Sequence, residues 1–425
     1  MTMTAPLTNW AGNITFDAER LHRPESVAEL QRIVGSAEKI RALGTGHCFN
    51  RIADSSGSLV SLAGLPRTIE VDAAGSTATV AAGLRYAEVT ETLSAAGFAL
   101  PNLASLPDIT VAGACATGTH GSGSANFGLA SAVSAVRLVG PDGELTELRR
   151  DTDPDRFPGA VVNLGALGIV VSLTLDLEAA FDLAQFVHLD VPLDRLAADF
   201  DSAFAAAYSV SAFTEWRFGT AALWLKLRTD RPGSAGPGTD WLGGHPADVP
   251  CHPVPGRSAV DCTEQLGVPG PWHARLPHFR LGATPGSGDE LQSEFFLPRD
   301  AAAAGIAALQ DIGEVMTPVL QISEIRTTAA DNLWLSPGYG RDTVAFHFTW
   351  TKDPDAVAPV VAAIEDRLMP LGARPHWGKL FTTAPESIGP LYERADDFRR
   401  LMLDLDPAGK FRNSFVEDVL GIPAQ

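Results

Sequence analysis

Apolar positions first settle into a helical rhythm at Val27, Leu30, Ile33 and Val34, behind Ser26 and Glu29, a pair spaced as a capping box. The period then shortens. Residues 39–43 read as a strand, and residues 58–61, 68–71 and 77–81 as a meander turning at 73–76. Helical spacing returns over residues 86–96 through Tyr86, Val89 and Leu93, with Gly97 as the stop. Residues 132–149 alternate as a hairpin about Pro141-Asp142-Gly143, and residues 164–170 run into a strand ending near Leu177. This opening part has many strands but neither a regular βαβ alternation nor a G-x-G-x-x-G at a helix start, so no Rossmann unit is predicted.

After about residue 183 the texture changes. The pattern predicts a strand over 186–191, a helix over 193–207 and two strands ending at Leu227. Residues 230–290 are rich in Pro and Gly, hold four of the ten histidines, and read as a long decorating loop. A helix over 301–316, strands over 320–327 and 343–350 and a helix over 356–371 complete what reads as a separate α+β domain.

A chain of 425 residues is long enough for two domains, and 45% apolar with 20% charged residues is ordinary for a globular protein. The net charge of −19 speaks against nucleic acid or an anionic membrane as partner. It also requires any anionic cofactor to be held by backbone N–H groups and a few local cations. No stretch reaches 18 apolar residues, and residues 1–13 carry no signal-peptide pattern, so a cytoplasmic protein is expected. Four cysteines without C-x-x-C spacing read as reduced thiols, although Cys251 and Cys262 stand close enough in a loop to invite a bridge. No histidine pair has metal-ligand spacing, and no metal is predicted.

Three stretches suggest chemistry. Gly44-Thr45-Gly46-His47 ends the strand over 39–43, and two glycines about one small residue can turn backbone N–H groups inward as an anion nest. Residues 101–123 hold almost no large side chain after Val111, as expected of backbone lying against a flat object. In the second domain, period two puts Ile322, Glu324 and Arg326 on one strand face, and His347 with Thr349 on one face of the next. Lys379 follows His376-Trp377-Gly378, and held near Arg326 its ammonium would be disfavoured, which suits a general base for an alcohol.

Together these motifs, with Ala104-Ser105-Leu106-Pro107, Ala116-Thr117-Gly118-Thr119-His120-Gly121, Gly165-Ala166-Leu167-Gly168 and Asp406-Pro407-Ala408-Gly409-Lys410-Phe411, resemble the vanillyl-alcohol-oxidase-type flavoproteins. Within them, Thr8-Asn9-Trp10, Pro271-Trp272-His273, Glu324-Ile325-Arg326-Thr327, His347-Phe348-Thr349-Trp350 and His376-Trp377-Gly378-Lys379 are most similar to the bacterial alditol oxidases. The resemblance implies an α+β, two-domain (PCMH-type) FAD-binding fold. Residues 1–183 would bind FAD, 184–374 would form an α+β substrate cap, and 375–425 would return to the first domain. It implies FAD bonded covalently through His47. Cofactor contacts would come from Ala42, Leu43, Gly44, Thr45, Gly46, Ser105, Thr110, Gly113, Ala116, Thr117, Gly118, Thr119, Ile169 and His376.

Ser105, Glu324, Arg326, Thr349 and Lys379 match the polyol-binding residues, with Lys379 and Arg326 assisting proton loss from the C1 hydroxyl as hydride passes to flavin N5. The product would be an aldose, with O2 reduced to hydrogen peroxide. A flavin-dependent sugar-lactone or polyol dehydrogenase using another acceptor is the alternative. Cys48 stands where the family leads one to expect serine. The expected partners are a small polyol and O2, and the expected state is a monomer.

Overall fold

A computed structural model describes residues 6–231, 236–280, 282 and 288–422 of the chain. Helix α1 (Val27–Ser36) starts where its cap predicts, with Ser26 Oγ accepting from Glu29 N at 3.2 Å. The return bond goes one residue further back, from Glu25 N to Glu29 Oε2 at 2.9 Å. Beside the buried Leu30 and Val34 of α1 lies a small parallel sheet of order β1-β3-β2, namely Arg20–His22, Ser58–Val60 and Ile40–Ala42. An antiparallel sheet of order β4-β5-β9-β7-β8 follows, from Ile69–Asp72, Thr77–Ala81, Ile169–Asp176, Val133–Val139 and Leu145–Arg149. Along β9 burial alternates strictly, so Ile169, Val171, Leu173 and Leu175 enter the core. The β7–β8 turn falls at Pro141-Asp142-Gly143, where Gly143 takes φ +85° and Gly140 N donates to Glu144 O at 2.8 Å. Helix α2 (Tyr86–Ala95) stops at Gly97 (φ +82°), and a two-residue ribbon pairs β6 (Phe98–Ala99) with β10 (Glu178–Ala179).

Two short helices escape the pattern reading. The small-residue stretch contains α3 (Val111–Ala116), started by Thr110, and α4 (Phe157–Val161) precedes β9. Helices of five or six residues, one of small residues and the other holding Pro and Gly, are too short to give a periodic signal.

The largest sheet among the described residues has nine strands, in the order β14-β11-β13-β12-β17-β18-β16-β19 with β15 against β11. Its long members are β11 (Asp182–Pro192), β12 (Ser209–Thr214), β13 (Thr220–Arg228), β16 (Glu290–Pro298), β17 (Leu320–Thr328) and β18 (Thr343–Thr351). Short edges are β14 (His245–Pro246), β15 (Gly270–Pro271) and β19 (Arg374–Pro375). Five helices cover one face: α5 (Leu193–Ala198), α6 (Phe200–Ala205), α7 (Ala302–Gln310), α8 (Gly313–Met316) and α9 (Pro354–Leu368). Against them the strands send Leu223, Leu225, Leu291, Phe295, Ile325, Phe346, Phe348 and Trp350. Each such side chain contributes about 1.5–3 kcal/mol on full burial, which fixes the register and therefore the opposite face.

The structure corrects three boundaries. The helix expected over 193–207 breaks at Asp199 (φ −111°, ψ 27°), and that over 301–316 breaks at Ile312 (φ −113°, ψ 14°). The loop expected up to residue 290 gives way to strand β16, for which no strand was predicted. The four cysteines are free, Cys251 and Cys262 included.

Beyond β19 the chain runs back to the first sheets through α10 (Ala395–Leu405) and α11 (Ser414–Val419). Asp406 accepts from Lys410 N and Phe411 N, both at 2.8 Å, shaping a turn that docks on β2. Ile40 N donates to Lys410 O, Lys39 Nζ to Gly409 O, and Lys410 Nζ to Val34 O and Pro141 O. Asn413 Nδ2 reaches Arg51 O and Asp54 O. The buried guanidinium of Arg41 binds Phe411 O, Ile52 O and Leu164 O, tying three separate segments beneath the nest.

Candidate active site

A cavity of about 800 Å³ runs between the residue 42–48 turn and the uncovered face of the nine-stranded sheet. At one end Ala42, Leu43, Gly44, Thr45, Gly46 and His47 line it, with Thr110, Gly113, Ala116, Thr117 and Thr119 from the α3 region opposite. The two glycines of the nest do different work. Gly46 takes φ +72°, the left-handed conformation, while Gly44 permits close approach, since a Cβ there would sit 2.4 Å from Thr110 Oγ1. Among the described residues, no hydrogen-bond acceptor takes up the N–H groups of residues 44–48. These residues line the cavity, and unsatisfied N–H groups in such a turn suit an anion such as a pyrophosphate.

His47 stands at the lip. Its ring stacks on Trp10 at 4.7 Å between centroids and 20° between planes, and its buried Nδ1 has no partner. Burial, then the charges of Lys379 and Arg85, bring its pKa down to about 4, so the imidazole is neutral at neutral pH. Trp10 is itself fixed, donating from its N to Gly46 O at 2.9 Å, and Asn9 Nδ2 holds Cys48 O at 2.9 Å. The Cys48 thiol lies against Gly378, and burial raises it to about 11. These groups fit a flat, anionic, phosphate-bearing cofactor with a ring edge at His47.

The other end is a ladder of polar side chains on the sheet. Register sets Glu324 of β17 and Glu294 of β16 on either side of His347, and Ile322 and Gln292 on either side of Thr349. Arg326 NH2 donates to Glu294 Oε1 at 2.6 Å, its Nε lies 3.5 Å from Glu324 Oε2, and its NH1 reaches Ser105 Oγ at 3.4 Å. His120 Nε2 sits 3.0 Å from the same Glu294 oxygen. Burial pushes both carboxyl groups up, but the Arg326 guanidinium and the adjacent imidazoles outweigh it and hold Glu294 and Glu324 well below the usual carboxylate range.

Lys379 Nζ donates to Gln292 Oε1 and lies 5.2 Å above the Phe49 ring. Burial first, and Arg326 next among the lowering influences, bring Lys379 below the ordinary lysine range, with Glu294 pulling the other way. Burial likewise brings His347 and His376 down to about 3, so both are neutral.

All the expected substrate residues (Ser105, Glu324, Arg326, Thr349 and Lys379) line this one cavity, as does His376. Two expected cofactor residues are not brought to it. Ile169 falls on the inward phase of β9 and packs beside Leu30 and Val34, leaving Gly168 and Val170 at the wall. Gly118 lies against Pro337 and Val162. Gln292, Glu294, His120 and His278 also face the site and were missed. The first two lie on β16, whose Glu290-Leu291-Gln292-Ser293-Glu294-Phe295 largely alternates polar with apolar and carried a readable signal. The histidines are visible only in three dimensions.

Residues 18–149 match the family model described as FAD binding domain, and residues 290–419 match that of D-arabinono-1,4-lactone oxidase. The chain is 50% identical to the alditol oxidase of Streptomyces sp. (strain IKD472), over 98% of this chain and all of that one. It is 27% identical to L-gulono-1,4-lactone dehydrogenase of Mycobacterium tuberculosis, over 97% of this chain and 99% of that one. The crystal structure of cholesterol oxidase from B. sterolicum superposes with a TM-score of 0.77 at 14% identity, over 98% of this chain and 96% of that one, a likeness of fold.

Proposed function

The chain belongs to the alditol oxidase family of FAD-dependent oxidoreductases, and on that premise we propose that it oxidises the C1 hydroxyl of alditols such as xylitol or sorbitol to the aldose, with O2 reduced to hydrogen peroxide. The observation that carries the reading is a single cavity with an anion nest and a neutral histidine at one end, and a lysine, an arginine and two carboxylates at the other. A simple apolar alcohol would bring that second end no further donors or acceptors. A polyol satisfies it.

The backbone of residues 42–47, with Thr110, Gly113, Ala116, Thr117 and Thr119, would hold the cofactor, and His47, whose Nδ1 has no partner, would bond it covalently. FAD, when bound there, would supply the two-electron acceptor, with O2 as the final oxidant. The protein positions the alcohol and takes its proton. Lys379, shifted toward its neutral amine, receives the C1 hydroxyl proton, while Arg326 stabilises the developing alkoxide. Glu324, Thr349 and Ser105 accept or donate to the further hydroxyls. Residues 1–183 with 375–425 form the cofactor half on this reading, residues 184–374 form the substrate half, and the enzyme acts as a monomer in the cytoplasm.

Two measurements test it. Acid-precipitated protein should stay yellow, and His47→Ala should release the colour. Polyol added under air should yield peroxide, and added anaerobically should bleach the flavin. Bleaching without peroxide under air would instead indicate a dehydrogenase, and no bleaching by any polyol would end the proposal.

A further inference from the structure

Behind Glu324, away from the reacting end, lies a lysine for which the reaction has no task. Lys226 of β13 is 1% exposed. A buried ammonium is costly unless every N–H finds an acceptor. Lys226 Nζ meets three: Leu276 O, Pro277 O at 3.1 Å and His278 Nδ1 at 3.3 Å. The other nitrogen of that ring, His278 Nε2, is 2.9 Å from Glu324 Oε1.

The protons in this chain can be placed. Glu324 is a carboxylate and only accepts, so His278 Nε2 carries the hydrogen. A neutral imidazole then has a bare Nδ1, which accepts from Lys226. The ring cannot swing away, because Phe213 and Trp224 box it edge-on at 5.2 and 5.4 Å. Its backbone is pinned as well, with His278 N donating to Ser105 O at 3.2 Å and Thr263 N donating to His278 O at 3.0 Å. One residue thus braces Glu324 through its side chain and Ser105 through its main chain.

We propose that His278, seated by Lys226, is the positioning residue that aims Glu324 into the pocket and sets the preference for long polyols over short ones. The inference rests on the reading of Glu324 as a hydroxyl-binding group. With Oε1 held by His278, Oε2 is the oxygen presented to substrate and to Arg326. Glu324 stands on β17, two strands from β16, where Gln292 holds Lys379. Two strand spacings are about 9–10 Å. That spacing separates backbones, and Arg326, 3.5 Å from Glu324 Oε2, spans part of it, so Glu324 meets a hydroxyl beyond C1, of which sorbitol offers more than glycerol.

The test is steady-state kinetics of the FAD-loaded enzyme on sorbitol and glycerol for His278→Leu, His278→Gln, Lys226→Met and Glu324→Gln, with bound flavin quantified from its spectrum. For His278→Leu and Lys226→Met the sorbitol KM should rise about 10-fold or more, a buried charged acceptor having lost its donor or that donor its brace. The sorbitol kcat should stay within about 3-fold and the glycerol KM should change little. His278→Gln, which keeps an N–H donor, should recover part of the loss; should the leucine variant fail to fold, it and Lys226→Met decide. If Glu324→Gln raises the sorbitol KM while these variants leave the sorbitol-to-glycerol ratio at its wild-type value, the positioning role is overturned. If Glu324→Gln itself leaves that ratio unchanged, the assignment of Glu324 to substrate fails first.

Discussion

Lys379 must be uncharged when it takes a proton, and its surroundings supply that condition unevenly. Burial and Arg326 disfavour its ammonium, while Glu294 and Glu290 favour it, so the carboxylates near the site temper its basicity. Lys379→Ala should slow anaerobic flavin reduction by xylitol about 10²–10⁴-fold, the usual contribution of a positioned base. Lys379→Arg should do no better, since a guanidinium does not release its proton at any working pH. Stopped-flow reduction checks both, and a wild-type rate in either variant would remove Lys379 from proton transfer. At this scale the sequence spoke clearly wherever a strand was recognised. Glu324, Arg326, His347 and Thr349 share a face because alternation demands it, and they do so in the structure. Glu294, which anchors Arg326 as closely as any residue, was legible in the same way, but its strand is masked by the Pro- and Gly-rich stretch that runs into it.

Among the elements, the turn after β2 and helix α3 lock together through Gly44 and Thr110. Threonine is stiff at χ1, so its Oγ1 cannot retreat from a side chain added at Gly44. Gly44→Val should fold with its nine-stranded sheet intact yet lose most of its bound FAD, as read from the ratio of flavin to protein absorbance. Full retention would show that the close approach has no part in holding the cofactor. The glycines announced a nest in the sequence, but their separate duties did not, because Gly44 answers to a partner 66 positions away in the chain. The split of α5 from α6 at Asp199 and of α7 from α8 at Ile312 was similarly hidden, since apolar residues keep helical spacing through both breaks. Tertiary packing against the sheet, rather than propensity, sets where those helices bend.

Taken as one molecule, the protein stores an unusual share of neutral imidazole in its interior. His278 is held at about 4, His347 at about 3 and His376 at about 3, with burial the leading cause, against an ordinary 6.5. Between 6.5 and those values the unfolded chain binds more protons than the folded one, so stability present above pH 6.5 is lost as the pH falls. Glu294 and Glu324, held below the ordinary carboxylate value of 4.5, add to that loss once the pH drops beneath it. Asp331, raised to about 6, works the other way between its ordinary 3.8 and 6, as do Glu290 and Glu365, both raised by burial. The histidine windows, that of His47 at about 4 included, are wider, so Tm should fall from pH 7 to pH 5; an equal or higher Tm at pH 5 would contradict the balance.

None of the helices among the described residues is long and apolar enough to cross a membrane. The succession of elements could largely be read from the chain, whereas the strand order of the large sheet could not, because it depends on pairings between distant segments.

The turn at residues 406–413 adds a constraint on timing. Lys39 finds its carbonyl partner 370 residues downstream, so Gly409 must be made before the opening strands can be sealed. Nascent chains halted at residue 372 should therefore leave their first 180 residues open to protease, with loading of FAD waiting on the turn at residues 406–413.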